Sequence, residues 1–374
     1  MRIPRAQLAL PATLALALAV AGCSSRVRPP TTPAPAARGF RMGFSPAPAA
    51  FGAASQDEAF AFCGAHGDIV LNHHDLAVPW DSALAGRPPR ADIVADFTLR
   101  RTREQALGLH LFVAVNCLTA FRDSIAPGWG GAPRPPEIQA DPTFANPAAR
   151  RAWKYWCAWV ATFYQPDAFA AGVEINTYQH GNPADWPNLV SLYRGVYDTL
   201  KTLRPQMQVF PTFQLDNLHK WNQWSVVPPF EDKMDAMTLS VYPGASFVGG
   251  AFLTPATIPA DYLAKARTAT GTARPLMISE TGFGDSTLTP PGWPGTPQME
   301  RDYVKWLMRQ ADSLGVRQII WFFPSDQWAF IDILPPPLRQ ILSLFGPMGL
   351  RKRDLASKPA LAEWDANFAR PYAP

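Results

Sequence analysis

Eight short apolar runs separated by amphipathic stretches constrain this chain more than any other feature. The runs are Phe40 to Ser45, Ile69 to His73, Leu109 to Asn116, Gly172 to Asn176, Val209 to Gln214, Met237 to Tyr242, Leu276 to Glu280 and Gln318 to Phe323. Short, bounded apolar runs read as buried strands. Between several of them, apolar residues recur at three- and four-residue steps, as on one face of a helix. Leu189, Leu192, Tyr193, Val196, Tyr197, Leu200 and Leu203 do so, as do Trp153, Trp156, Val160, Phe163 and Tyr164. Tyr303, Trp306, Leu307, Ala311 and Leu314 form a third such face, with Gln310 intruding. Strands alternating with helices imply a parallel sheet, and eight strands close into a barrel. The predicted fold is therefore α/β, a single (β/α)8 TIM barrel over residues 39–370. A doubly wound open sheet lacks support, because no Gly-rich phosphate loop follows the first run.

The connections are unequal. Helix-to-strand links are short (Arg204 to Gln208, Gly315 to Arg317), whereas strand-to-helix links run from Leu118 to Pro147, Asp216 to Asp232, Pro243 to Pro259 and Phe283 to Pro297. Barrel active sites are built from the strand-to-helix loops. Enlarged loops on that side mark a binding or catalytic face, and they carry Trp129, Trp221, Trp224 and Trp293, with Trp80 and Trp328 in equivalent places. Loop tryptophans suit stacking on the apolar faces of sugars; the other use of such rings is to pin long loops. The net charge of +4 and the isolated RKRD cluster at Arg351 argue against a nucleic-acid partner.

The N-terminus has a different character. Arg2 and Arg5 precede an apolar stretch from Leu8 to Val20, too short to span a bilayer, as in an export signal over residues 1–22. The tetrapeptide from Val20 to Cys23 resembles the lipobox of bacterial lipoproteins. That resemblance implies cleavage before Cys23, lipidation of its thiol and a membrane-anchored, exported protein; Ser24 in the next position implies the outer membrane. Residues 23–38, rich in Pro, Ala and Thr, read as an extended tether. With Cys23 lipidated, Cys63, Cys117 and Cys157 allow one disulfide at most.

Two of the runs end in glutamate: Glu174 in AAGVEIN and Glu280 in PLMISETG. Paired carboxylates facing one cleft are what glycosidic bond cleavage needs. At the ends of the fourth and seventh strands they resemble the acid/base and nucleophile of the clan of retaining (β/α)8 glycoside hydrolases. EIN followed by an aromatic looks like the endo-β-1,4-galactanase family, ISETGF like the nucleophile strand of galactanases and some β-glucanases, and GLRKRDLASKPAL like the closing stretch of many such barrels. The resemblance implies Glu174 as general acid/base, Glu280 as nucleophile, Tyr242 as the tyrosine bonded to the nucleophile and Trp321 as the aromatic floor of the cleaved sugar's subsite. It implies a carbohydrate substrate and no cofactor. Asn176, His74, Trp80, Asn116 and Trp293 complete the expected substrate-binding set, and Asp216, Gln214 and Asp326 are further polar strand ends. The chain departs from the clan at Val173, where Asn normally precedes the acid/base, and it shows no counterpart of the arginine common at the end of strand two. A catalytically inactive sugar-binding barrel is therefore the alternative. A metal site on His73, His74 and Asp75 is a third reading, but adjacent residues point to opposite faces of a strand and no partner cluster is evident, so no metal is assigned.

Overall fold

The structure, a computed structural model, describes residues 36–75, 77–248 and 251–374. The expected signal segment, Cys23 and the tether as far as residue 35 lie outside the described residues. Strands β1 (Arg41–Phe44), β2 (Ile69–His74), β3 (His110–Val115), β4 (Ala168–Ala171), β5 (Gln208–Phe210 and Thr212–Gln214), β6 (Met237–Val241), β7 (Leu276–Thr281) and β8 (Gln318–Trp321) form one parallel sheet. Its nine segments run from the first half of β5 through β4, β3, β2, β1, β8, β7 and β6 to the second half of β5. Pro211 separates the two halves. Proline has no N–H to give to a ladder, so residues 208–210 pair with β4, residues 212–214 pair with β6, and the eight-stranded barrel closes through the break.

The strands are buried on both faces, as expected of a parallel sheet under helices. Helices Pro147–Tyr164, Trp186–Leu203 and Pro297–Leu314 cover it with the stripes anticipated from their spacing, except that Leu203, at the end of the second, is exposed. Two begin on side-chain caps: Asn146 accepts the N–H of Ala148 at 2.8 Å and Thr296 that of Met299 at 3.1 Å. Gly315 ends the last of them in the left-handed region.

Two boundaries differ from the sequence reading. The fourth strand is AFAA, residues 168–171, not Gly172 to Asn176. Alanine has weak strand preference, and this strand exists because each of its residues is buried between β3 and β5. The domain also starts before residue 39 and extends past 370. Arg38 is 4% exposed, pairs with Asp68 at 2.9 Å and donates to the Phe40 carbonyl, and its backbone bonds Pro371 and Ala373.

One buried carboxyl in the helix layer gives a stability test. Glu104 receives the side-chain amide of Asn72 at 2.5 Å, and burial pushes its acid up to about 7, with the Asn72 bond opposing. Two buried oxygens of this pair, Asn72 Oδ1 and Glu104 Oε2, lack donors, which also favours the protonated acid. A folded-state value above the unfolded one means the native state holds the extra proton, so stability falls as pH rises from about 4.5 to 7. Glu104→Gln keeps the amide contact and removes the penalty. Between pH 4 and pH 8 the wild type is expected to lose on the order of 2–3 kcal/mol more than the variant, measured by urea unfolding. Parallel pH profiles for the two proteins would refute this.

Candidate active site

The mouth of the barrel is built from residues just beyond the strand ends. β4 stops at Ala171. Gly172 turns the chain with φ of 132°, and Glu174 follows in the left-handed region with φ of 52° and ψ of 40°, immediately before the helix Ile175–Gly181. A glutamate in that conformation costs about 1–2 kcal/mol, and the surroundings hold it there. Thr212 Oγ1 accepts its N–H at 2.9 Å, Ser240 donates its hydroxyl to Oε1 at 2.6 Å, and Arg122 Nε lies 3.3 Å from Oε2. Such strain persists where geometry serves a site. Of two variants lacking the carboxylate, Glu174→Gly is therefore expected to be more stable than Glu174→Ala by about 1 kcal/mol. Equal melting temperatures would show that the left-handed turn stores nothing.

Glu280 comes from β7. The pairing of β7 with β6 slips between Ile278 and Glu280, so that Glu280 stands opposite Ser240; bulges of this kind re-aim a side chain. Its carboxylate is 4% exposed, accepts the Tyr242 hydroxyl at 3.1 Å and lies 2.8 Å from His73 Nε2. His73 Nδ1 is 3.4 Å from Asp75, and Asp75 accepts Arg122 Nη2 at 2.6 Å. Both glutamates thus end in one buried network.

Burial and neighbouring charges set the electrostatics of this network. Burial raises the Glu174 acid, the Arg122 cation opposes this, and the Glu280 charge raises it further. His73 moves to about 10: burial disfavours the imidazolium, but Asp75 and Glu280 outweigh it. Burial would raise Asp75 too, yet His73 and Arg122 hold it well below the usual carboxylate range. Tyr242 is pushed far up by burial and by the two glutamates, so it stays a hydroxyl donor.

Several expected residues are elsewhere. His74 faces the helices, stacked on Phe97 at 4.2 Å and 3.3 Å from the Tyr164 hydroxyl, while its neighbour His73 faces the mouth. Trp321 is also turned outward, fully buried beside Tyr303 and Trp364 with its N–H on the Met348 carbonyl at 2.8 Å. Phe322 takes the inward place, 5.1 Å from the His73 ring and 6.5 Å from that of Tyr242, with Phe345 behind it. Asn176 bonds the backbone of Gln214 twice, at 2.7 and 3.1 Å, and pins the helix to β5. Trp80 is buried with its N–H on the Ala126 carbonyl at 2.9 Å, which makes it a loop anchor. Asn116 is buried beneath the mouth, its Oδ1 accepting the Val173 N–H at 3.2 Å. Trp293 is half-buried and lines a recess beside Tyr242 with Phe283, Leu344 and Met348. Asp216 is spent on the Tyr262 and Ser246 hydroxyls at 2.6 and 2.7 Å, and Asp326 on Lys358 at 2.7 Å. Trp129 packs on Phe97 and Trp156, and Trp224 is buried.

Arg122 and Ser240 were not anticipated. Arg122 lies in a long loop without periodicity, and nothing in its surroundings marks it. Ser240 carried a faint signal, as one of two polar residues, with Thr238, that share a face of the strand leading to Tyr242. Cys63, Cys117 and Cys157 are buried free thiols, each pushed up by burial into the unreactive form. Among the described residues no group of three His, Cys, Asp or Glu side chains is arranged to hold a metal ion.

No protein-family model matches the chain, and no curated protein matches it by sequence. Solved structures do share its fold. A GH5_18 protein from Streptomyces cattleya in complex with GlcNAc superimposes with a TM-score of 0.65 at 15% identity, over 91% of this chain and 83% of the other. A GH5_18 protein from Bifidobacterium longum subsp. longum in complex with Manβ1-4GlcNAc gives 0.64 at 14%, over 90% and 80%. The exo-β-1,4-mannosidase Op5Man5 from Opitutaceae bacterium strain TAV5 gives 0.63 at 15%, over 87% of this chain and 58% of that longer one. At these identities the likeness establishes the (β/α)8 barrel.

Proposed function

We propose that this protein is a retaining β-glycoside hydrolase. The observation that carries the reading is the pair of buried carboxyls at one mouth, joined in one network: Glu174, whose acid burial and the Glu280 charge raise against the opposing Arg122 cation, and Glu280, which contacts His73 and accepts the Tyr242 hydroxyl. Two carboxyls facing one mouth, one of them raised, suit the acid and the nucleophile of a double displacement. Glu280 attacks the anomeric carbon as the bond to the leaving oxygen breaks, and Glu174 delivers its proton to that oxygen. Glu174 then takes a proton from the incoming water, whose oxygen bonds the anomeric carbon as the ester to Glu280 breaks. Phe322, with Tyr242 beside it, supplies the apolar floor.

The substrate class follows as part of the same reading: a β-1,4-linked, manno- or gluco-configured saccharide. It is supported by barrels of the same fold solved with GlcNAc and Manβ1-4GlcNAc. A panel of aryl β-mannosides, β-glucosides, β-galactosides and β-N-acetylglucosaminides, with β-mannan, β-glucan and galactan, tests it, and NMR of the first-formed anomer reads the stereochemistry. Hydrolysis with the β anomer appearing first is expected, and an α anomer appearing first would overturn the mechanism. The sugar-binding alternative rests on Val173, whose side chain is buried and offers no donor beside Glu174. Saturable binding of these sugars without turnover would select it.

The same proposal places the mature protein at a bacterial membrane through lipid on Cys23, exported and joined to the barrel by the Pro-rich segment. Cys23→Ala should move it from the membrane fraction to the soluble one, and a variant that stays with the membrane would rule out the anchor.

A further inference from the structure

Five buried ionisable side chains of alternating sign run in line from one carboxylate to the other. Glu280 Oε1 lies 2.8 Å from His73 Nε2, His73 Nδ1 3.4 Å from Asp75 Oδ1, Asp75 Oδ2 2.6 Å from Arg122 Nη2, and Arg122 Nε 3.3 Å from Glu174 Oε2. None exposes more than 13% of its side chain. Asp75, at the centre, contacts the two cations and neither glutamate. We propose that Asp75 is a positioning residue that keeps His73 in its imidazolium form against the nucleophile and holds Arg122 on the acid/base, so that one anion sets the charge state of both. This rests on the glycosidase reading of Glu174 and Glu280.

The geometry carries the argument. The His73–Glu280 contact is close, but the ring N–H does not point along it as an in-line hydrogen bond would. What His73 does for Glu280 therefore depends on the charge of the ring more than on a directed bond. Burial by itself would remove that charge, and Asp75 on the opposite nitrogen is the second anion that retains it. The count of charges agrees. With Glu174 protonated the line holds two anions and two cations and is neutral; without Asp75 it would carry a buried excess of positive charge, which favours loss of a proton from His73 or from Glu174. The other groups facing this line do not replace Asp75. His74, next to His73, is held neutral by burial, while Tyr242 and Ser240 are hydroxyl donors to Glu280 and Glu174.

The test is Asp75→Asn, which preserves size. Long-range 1H–15N NMR of the imidazoles, with His73→Gln for assignment, reads the His73 charge without substrate. Wild-type His73 is expected to stay imidazolium through neutral pH and titrate near 10, and in Asp75→Asn to titrate at least about one pH unit lower. In kcat/KM profiles the alkaline limb, which loss of the Glu174 proton sets, should also move to lower pH, because the Asp75 charge is one of those that raise that acid. A structural role for Asp75 would lower activity with both limbs unmoved and His73 titrating as before, and that result overturns the proposal. A neutral His73 in the wild type at pH 7 overturns it as well, even if Asp75→Asn fails to fold. Absence of turnover in the wild type defeats the hydrolase reading alone, because the NMR arm still decides the role of Asp75.

Discussion

Glu280→Gln should abolish turnover, by at least about 10³-fold in kcat, while leaving the barrel folded. The amide keeps the shape of the carboxylate but cannot form the glycosyl ester, so the two-step route closes completely. Folding should survive because the Tyr242 hydroxyl can still bond the amide oxygen, and because the network can shed the resulting excess of positive charge by releasing a proton from His73 or Glu174. His73 loses one of the two anions that raise it, so its proton should come off at lower pH in this variant. Circular dichroism and thermal unfolding verify the fold, and burst-free kinetics on an activated aryl glycoside verify the loss. A variant that hydrolyses such a substrate within tenfold of wild type would remove Glu280 from the chemistry.

Glu174→Gln should act selectively. A general acid contributes about 10²–10⁴-fold, and only where the leaving group needs a proton. Oligosaccharides should lose that factor, whereas dinitrophenyl glycosides, whose leaving groups depart unprotonated, should keep most of their first-step rate. The pH profile should change with it. Because burial raises Glu174, with Arg122 opposing and Glu280 reinforcing, the wild-type alkaline limb marks loss of its proton, and that limb should vanish from the variant. Equal losses on all substrates would mean that Glu174 positions the sugar and transfers no proton.

Much of this architecture was legible in the sequence, for a physical reason. Alternation between strand and helix periods survives small boundary errors, so seven of the eight runs coincide with strands. The fourth was displaced because AFAA has no β-branched residue, and burial alone makes it a strand. The site was less legible, because strand side chains alternate with a period of two. An error of one residue chose His74 over His73 and Trp321 over Phe322. Asn176 was placed on a strand face, but it lies on a helix beyond Glu174, and its amide is used up on Gln214. Glu174 and Glu280 themselves were readable, since a carboxylate closing an apolar run has few uses. Arg122 was not, because a loop residue announces itself only through what it touches in the folded chain. No arginine stands at the end of strand two; His73, from that strand, and Arg122, from the loop after β3, contact the two glutamates instead.

The most direct test of the central claim is to trap the first intermediate. The wild-type protein is incubated with 2-deoxy-2-fluoro aryl glycosides of the configurations it hydrolyses, and its intact mass and peptide map are recorded. The account requires an increase equal to one fluorosugar, carried on the peptide containing Glu280 and absent from Glu280→Gln. Turnover of the parent glycosides without any adduct, or an adduct on another residue, would contradict it.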